Sequence, residues 1–425
     1  MRFRCHGCGA EIDAGVRLAF ACPNAGLGDD VDHVLVADSD ALPLSLGNET
    51  DPFLRYRQWL SPYRLARSSG LPDSAWFDLV GRLDQALTAA DGRGFRVTPM
   101  VKQPSLAHAI GLPGPLWVKD ETHNVSGSHK ARHLMGVMLY LRVLEAAKLP
   151  AGENVKTRRL AIASCGNAAL AAAVTARAAE WPLDVFIPPD ADEAVKDRLK
   201  ELGAAITICE RRPGEAGDPC YLRFREAVAA GAIPFGVQGT DNGLAIEGGR
   251  TLAFEMAEQF GRAGATPDAL FVQVGGGALA SGLAQGLAIA QSNGLIPVLP
   301  KLIAVQTAGC APLARAWERL GEMGLETAAQ KRSQFMWPWE TTPVSLAHGI
   351  LDDETYDWWA IAKGMRASDG STLVVDEAQV STAYRLGNQY TDIRASATGT
   401  SGLAGVIARP GAGKEIAVIF SGVER

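Results

Sequence analysis

Basic residues are not in excess in this chain, and long apolar runs are missing. Its 41 lysines and arginines are outnumbered by 47 acidic residues, for a net charge of −6. A nucleic-acid partner is therefore not expected, since that requires a basic face. No uninterrupted apolar stretch is long enough to span a bilayer, and Met1-Arg-Phe-Arg-Cys5 lacks the apolar core of a signal peptide. A cytoplasmic protein with no membrane partner is expected. Paired cysteines are lacking too: seven of them, an odd number spread over 425 residues, fit a reducing compartment better than a disulfide framework. A phosphate loop of the Gly-Lys-Ser/Thr kind is excluded, because Gly413-Lys414 is followed by Glu415.

What is present is enough apolar material, 47% of 425 residues, for more than one core. Cys5-His-Gly-Cys8 and Cys22-Pro resemble the two knuckles of a zinc ribbon, but Asn24 or Ala25 stands where a fourth cysteine would be. His6 and His33 are the available substitutes. A vestigial, metal-free ribbon is expected, with Cys5, Cys8 and Cys22 the candidates should a metal bind. Pro43, Pro52, Pro62 and Pro72 then punctuate a lead-in that reads as largely extended, before an amphipathic helix over 76–90.

From Pro115 the pattern alternates between strand and helix. Apolar segments at 115–118, 160–163, 183–187, 205–208, 268–274 and 301–306 are separated by helical stretches, among them a long one over about 131–147. Such alternation predicts α/β architecture with parallel sheets covered on both faces. Three junctions carry chemistry. Lys130 opens a helix, where the dipole and partial desolvation favour a neutral, nucleophilic amine; the plain alternative is an exposed first-turn lysine. Ser164-Cys-Gly-Asn-Ala168 joins a strand to a helix N-terminus and presents backbone N–H groups to an anion. Gly275-Gly-Gly-Ala-Leu279 does the same with no side chains in the way, which suits a phosphate.

Gly275-x-Gly277-x-x-Ala280 also satisfies a dinucleotide fingerprint, so an NAD-dependent oxidoreductase is the alternative. That reading needs an acidic residue at the end of the next strand, where Gln306 stands. A lone monophosphate fits better, and an amine, a monophosphate cradle and a carboxylate loop together are what pyridoxal phosphate and an amino acid require.

At this point the chain resembles the fold type II pyridoxal-phosphate enzymes, the group of tryptophan synthase β, serine and threonine dehydratases and threonine synthase. Ser126-Gly-Ser-His-Lys-Ala-Arg132 is similar to their Schiff-base lysine motif, Ser164-Cys-Gly-Asn167 to their substrate-carboxylate loop, and Gly275 to Leu279 to their phosphate loop. Ile416-Ala-Val-Ile-Phe-Ser-Gly422 resembles the late strand whose Ser or Thr meets the pyridine nitrogen, and Ser396 to Gly402 a late active-site loop. The threonine synthase and dehydratase branch is nearest. Lys130-Ala131-Arg132 departs from the aspartate usual after the lysine, and Cys165 stands where Ser or Thr is usual.

The resemblance implies two doubly wound parallel-sheet domains with a short ribbon-like extension: 1–50 the extension, 51–134 with 246–425 the large cofactor domain, and 135–245 a small mobile domain. It implies Lys130 as catalytic base, with His129, Lys130, Asn167, Gly275, Gly276, Gly277, Ala278, Leu279 and Ser421 binding pyridoxal 5'-phosphate. Ser126, Ser164, Cys165, Gly166, Asn167 and Ala168 would bind the amino-acid substrate; Cys165 is either a proton donor or, the preferred expectation, a small buried filler beside it. A neutral Ser421 hydroxyl would not keep the ring nitrogen protonated, which favours elimination or replacement of a β- or γ-substituent over transamination. The expected protein is a homodimeric lyase or synthase. A catalytically silent amino-acid-binding protein on the same fold is the non-enzyme alternative.

Overall fold

A computed structural model describes residues 1–26, 28–37, 46–215, 217–325 and 327–425; Pro43 lies outside them. The first strands, β1 (Arg2–Cys5), β2 (Glu11–Asp13) and β3 (Leu35–Ala37), form a small antiparallel sheet in the order β2-β1-β3. Next come β4 (Met100–Lys102), β5 (Leu116–Asp120), β6 (Leu160–Ala163), β7 (Leu183–Ile187), β8 (Ala205–Ile208) and β9 (Ile233–Pro234). The last are β10 (Ala269–Gln273), β11 (Lys301–Thr307), β12 (Ser371–Val375) and β13 (Ile416–Phe420). They build a six-stranded sheet in the order β12-β11-β10-β13-β5-β4, parallel except for β4, and a parallel four-stranded sheet in the order β8-β7-β6-β9.

The central strands of the large sheet, β5, β10, β11 and β13, divide their side chains between two cores. Leu270, Val272, Ala417, Ile419 and Trp117 pack on one face; Phe271, Val418, Phe420, Leu116 and Val118 pack on the other. With both faces covered by helices, the central strands are apolar throughout rather than alternating, which is why they read as continuous runs. The chain is thus α/β with parallel sheets.

The lead-in departs from expectation. Residues 52–55 and 61–68 are helical, with Pro52 and Pro62 in their first turns, and Pro72 precedes the helix Asp73–Asp91. Proline fits the first helical turn, where its missing N–H costs nothing and its φ is already helical, so these prolines start helices instead of preventing them.

The helix Lys130–Ala146 is buried along nearly its whole length and crosses the helix Leu244–Ala263 at very close range. A Cβ at Gly248 would lie 2.2 Å from the Arg132 carbonyl oxygen, and one at Gly249 2.2 Å from the His133 ring. Only glycine permits this approach, and it seats Lys130 at the carboxyl end of β5.

Candidate active site

Strands β10, β13 and β5 are neighbours in the large sheet, all parallel. The loop after each therefore opens on one crevice, the place where an open α/β sheet binds its ligand. The loop after β5 delivers Ser126, His129 and Lys130. That after β10 delivers Gly275 to Leu279, and the end of β13 delivers Ser421. The loop after β6, in the other sheet, carries Ser164 to Ala168.

Hydrogen bonds join these segments. Ser421 Oγ lies 2.6 Å from His129 Nδ1 and accepts from the His129 N–H at 3.1 Å. Burial, with the charges of Lys130, His133 and Arg132, drives His129 far below its ordinary range. The ring is therefore neutral, and a single proton joins Ser421 Oγ and Nδ1. Nε2 is a buried atom with no hydrogen-bond partner. Residues expected to serve the phosphate and the ring nitrogen are thus bonded to each other.

Lys130 is half-buried at the helix start. Burial pushes its ammonium down from the ordinary value, while Asp352 and Asp357 pull it back up. Asp352 also accepts the Gly276 N–H at 2.8 Å, so a carboxyl group whose charge acts on Lys130 is held by the glycine loop. Gly277, with φ +98°, is the N-cap of the helix Ala278–Ser292, and a Cβ there would lie 2.8 Å from Ile361.

Asn167 opens the helix Asn167–Ala178, and its Nδ2 lies 2.8 Å from where a Cβ of Gly422 would stand. Arg425 donates to Asn167 Oδ1 at 2.6 Å and to the Ser126 carbonyl at 2.6 Å, which ties the β6 loop to the Lys130 loop. Ser126 is buried with φ 55° and an unpartnered hydroxyl. Cys165 is exposed, so the expectation of a buried filler is corrected: the residue lies on the open side of its loop. Ser396 caps the helix Ala397–Ala408 by accepting from Gly399, and its N–H donates to the Gly422 carbonyl.

Sequence reasoning missed the turn 352–357. Thr355 donates to the Gly275 carbonyl at 2.9 Å and the Asp357 N–H to the Gly276 carbonyl at 3.1 Å, so this turn clamps the glycine loop from outside. Its only signal is an acidic run, Asp352-Asp-Glu354, ahead of Tyr356-Asp-Trp-Trp359, with no periodicity to interpret.

Asp357 is buried and accepts the Gly239 N–H at 3.2 Å. Burial, aided by the charge of Asp32, raises its carboxyl from 3.8 to about 8, despite the Gly239 amide and Lys130. Between those values the folded protein holds a proton that the unfolded chain releases, so this group's contribution to stability falls as pH rises through that window. Asp357→Asn keeps the acceptor and removes the proton. In cofactor-free protein the variant's urea midpoint is expected to decline less than the wild type's from about pH 5 to about pH 8. Parallel curves would mean that Asp357 is already ionised in the fold.

Comparison with known proteins agrees with this geometry. Residues 93–422 match the family described as Pyridoxal-phosphate dependent enzyme. The chain is similar to a serine dehydratase-like protein of Mus musculus, 30% identical over 193 residues, covering 45% of this chain and 52% of that one. It is similar to L-serine dehydratase of Saccharomyces cerevisiae, 30% over 218 residues, covering 49% and 61%. Threonine synthase of Synechocystis is 26% identical over 291 residues, covering 68% and 65%. The chain thus spans about half to two thirds of the length of these relatives. Among solved structures, maize serine racemase superposes with TM-score 0.61 at 19% identity, covering 81% of this chain and 93% of that one. Diaminopropionate ammonia lyase of Escherichia coli gives 0.60 at 18%, covering 90% and 93%. At such identities the likeness establishes the fold.

The dinucleotide alternative does not survive. Gln306 is buried, accepting the Ala314 N–H and donating to the Val274 carbonyl, a packing role at the position where that reading needs an exposed acid. With most of its length matched, the chain belongs to the pyridoxal-phosphate dependent enzyme family.

Proposed function

We propose that this protein is a pyridoxal-phosphate-dependent lyase or synthase that eliminates or replaces a β- or γ-substituent of a small amino acid. The observation that carries the reading is that the ends of the parallel neighbours β5, β13 and β10 bring together the Lys130 loop, bonded through His129 to Ser421, and the glycine loop.

The residues fit the cofactor. The Gly276 N–H already donates to an anion-forming group, which is what a phosphate asks of that loop, and side chains on Gly275 or Gly277 would collide with the turn 350–357 that braces it. The unpartnered His129 Nε2 is a second buried polar atom, and in the tautomer that carries its proton there it is a donor suited to an oxyanion. Gly275 to Leu279 would hold the phosphate, Lys130 the aldehyde carbon, and Asn167, its Oδ1 occupied by Arg425, would turn its amide N–H group toward the ring's 3-oxygen. When bound, the cofactor supplies an electron sink for charge that develops at the amino acid's α-carbon.

The chain's own groups do the rest. The N–H groups of the Ser164 to Ala168 loop, at a helix N-terminus, would orient the substrate carboxylate, with the Ser126 and Ser164 hydroxyls beside it. Lys130, once free, would take the α-proton as general base. Asp352, raised by burial though Lys130 and Gly276 oppose it, is an acid held at the glycine loop that could give a proton to a departing substituent. Ser421, a neutral hydroxyl already bonded to His129, is a weak partner for a ring nitrogen and would not keep it cationic, which disfavours transamination. Residues 135–245, which contain the four-stranded sheet, are our reading of the small mobile domain. No described helix is long and apolar enough to cross a membrane, in keeping with a cytoplasmic enzyme; the homodimer rests on the family resemblance.

The test is a spectral screen of holoenzyme against amino acids bearing hydroxyl, amino, chloro or phosphoryl groups at the β- or γ-carbon, with ammonia and 2-oxo acid as products. Turnover of at least one is expected. Asp352→Asn should slow the hydroxyl substrate about 10²-fold or more and the chloro substrate far less, because chloride leaves without a proton. Spectral change without product for every amino acid would instead favour the silent binding protein.

A further inference from the structure

We infer that the N-terminal ribbon is a closed Cys3His zinc site whose fourth ligand is His33, and that it braces the acidic turn behind the glycine loop. Three sulfurs, from Cys5, Cys8 and Cys22, and a ring nitrogen of His33 all lie within 4.8 Å of one another. Two edges of this figure are 3.5 Å, Cys8 Sγ to Cys22 Sγ, and 3.4 Å, Cys5 Sγ to His33 Nδ1. A zinc tetrahedron with Zn–S near 2.3 Å has edges of about 3.7 Å, whereas a disulfide needs about 2.05 Å between sulfurs.

The surroundings are those of ligands. His33 Nε2 lies 2.6 Å from Asp29 Oδ2, so a carboxylate holds the far nitrogen and aims Nδ1 at the sulfurs, the usual arrangement for a metal-bound imidazole. Backbone N–H groups of Gly7 and Cys8 point at the Cys5 sulfur, that of Ala10 at Cys8, and that of Asn24 at Cys22 at 3.4 Å. Gly9, with φ +75°, turns the first knuckle back through its bond to the Cys5 carbonyl. Four protein ligands leave no open position, so the metal is structural.

Its mechanical connection to the site is direct. The segment between Asp29 and His33 binds residues 329–333: the Asp32 N–H donates to the Ala329 carbonyl at 2.7 Å, and Asp30 accepts from the Arg332 and Ser333 N–H groups at 2.7 and 2.6 Å. Arg332 in turn pairs with Glu354, inside the turn that clamps Gly275 and Gly276. On the other side the ribbon's Val34 lies against Gly239, which donates to Asp357.

Metal analysis of full-length holoenzyme purified from zinc-supplemented cells is expected to give about one zinc per chain, with an absorption-edge spectrum of three sulfurs and one nitrogen. His33→Cys should keep that stoichiometry with four sulfurs, and His33→Ala should lose most of it. The same His33→Ala protein should release bound cofactor faster on dilution. If His33→Ala is insoluble, titration of wild-type holoenzyme with a mercurial, followed with a zinc-sensitive dye, replaces it and should release one zinc. Soluble holoenzyme without zinc, iron in its place, or full zinc retention in His33→Ala would overturn the assignment. None of these outcomes depends on which amino acid the enzyme consumes.

Discussion

Lys130→Ala protein is expected to purify without visible absorption and to lose roughly a thousandfold or more of any activity, since one side chain supplies both the covalent attachment and the base. Lys130 follows β5, and its neighbour His129 is bonded to Ser421 at the end of β13. The deeply buried Lys119 cannot substitute: its ammonium donates to the Thr98 carbonyl, Glu255 and Gln259 at 2.7, 2.7 and 2.9 Å, which uses all three protons. Lys130→Arg separates charge from nucleophilicity, and should be folded, colourless and inactive as well. Borohydride followed by peptide mapping of the wild type should place the reduced cofactor on Lys130. A Lys130→Ala protein that keeps a visible band sensitive to borohydride would put the amine elsewhere and remove the basis of the proposed function.

The second large effect concerns folding. Arg132 is fully buried and forms two bonds to Glu121, at 2.8 and 2.9 Å, and one to Glu255 at 2.6 Å, while Lys119 holds the other Glu255 oxygen. Two positive and two negative side chains cancel, and Thr98, Asn124 and Thr251 take further hydrogen bonds in the cluster. Burial pushes the Glu255 carboxyl up, but Arg132 and Lys119 pull it below its ordinary range. Arg132→Leu would leave two buried carboxylates facing one ammonium. Removing one partner of a buried ion pair costs about 3–5 kcal/mol, a large part of the roughly 5–15 kcal/mol that holds a domain together. The variant is expected to unfold at much lower denaturant concentration or to accumulate as insoluble protein. Arg132→Lys, which keeps the charge but loses the planar fork, should fall between. By contrast Arg82–Asp78, exposed on a helix surface, should change stability by less than about 1 kcal/mol when broken. An Arg132→Leu midpoint close to the wild type's would show that the carboxylates simply take up protons in the fold at little cost.

Arg132 also shows where reading the chain stops. Lys130-Ala131-Arg132 appears in the sequence only as a departure from the aspartate that related enzymes carry after the lysine. In the fold the arginine is the central cation of a buried cluster that joins β5, the Lys130–Ala146 helix and the Leu244–Ala263 helix. Prolines 52 and 62 mislead for a related reason: the same residue type ends one structure or begins another according to which N–H groups are already unpaired. The central strands were easy because a strand buried on both faces is a run of apolar residues, visible without any partner. Edge strand β12, half-exposed and following no such run, was not.

The sequence by itself determined the strand and helix alternation, the lysine at a helix start, the glycine loop after a strand and the cysteine knuckles. Each is local, set by periodicity, by a dipeptide or by missing side chains over a few residues. Only the tertiary structure decided that Asp352 accepts from Gly276, that Ser421 bonds to His129, that Arg425 holds Asn167 and that His33 lies beside the three sulfurs. Those pairs meet because parallel strands place their carboxyl ends side by side and because loops far apart in the chain close on one another. Pairwise contacts between distant segments leave no period in either of them, so their energy, and with it the shifted protons of the site, belongs to the fold and not to any stretch of the chain.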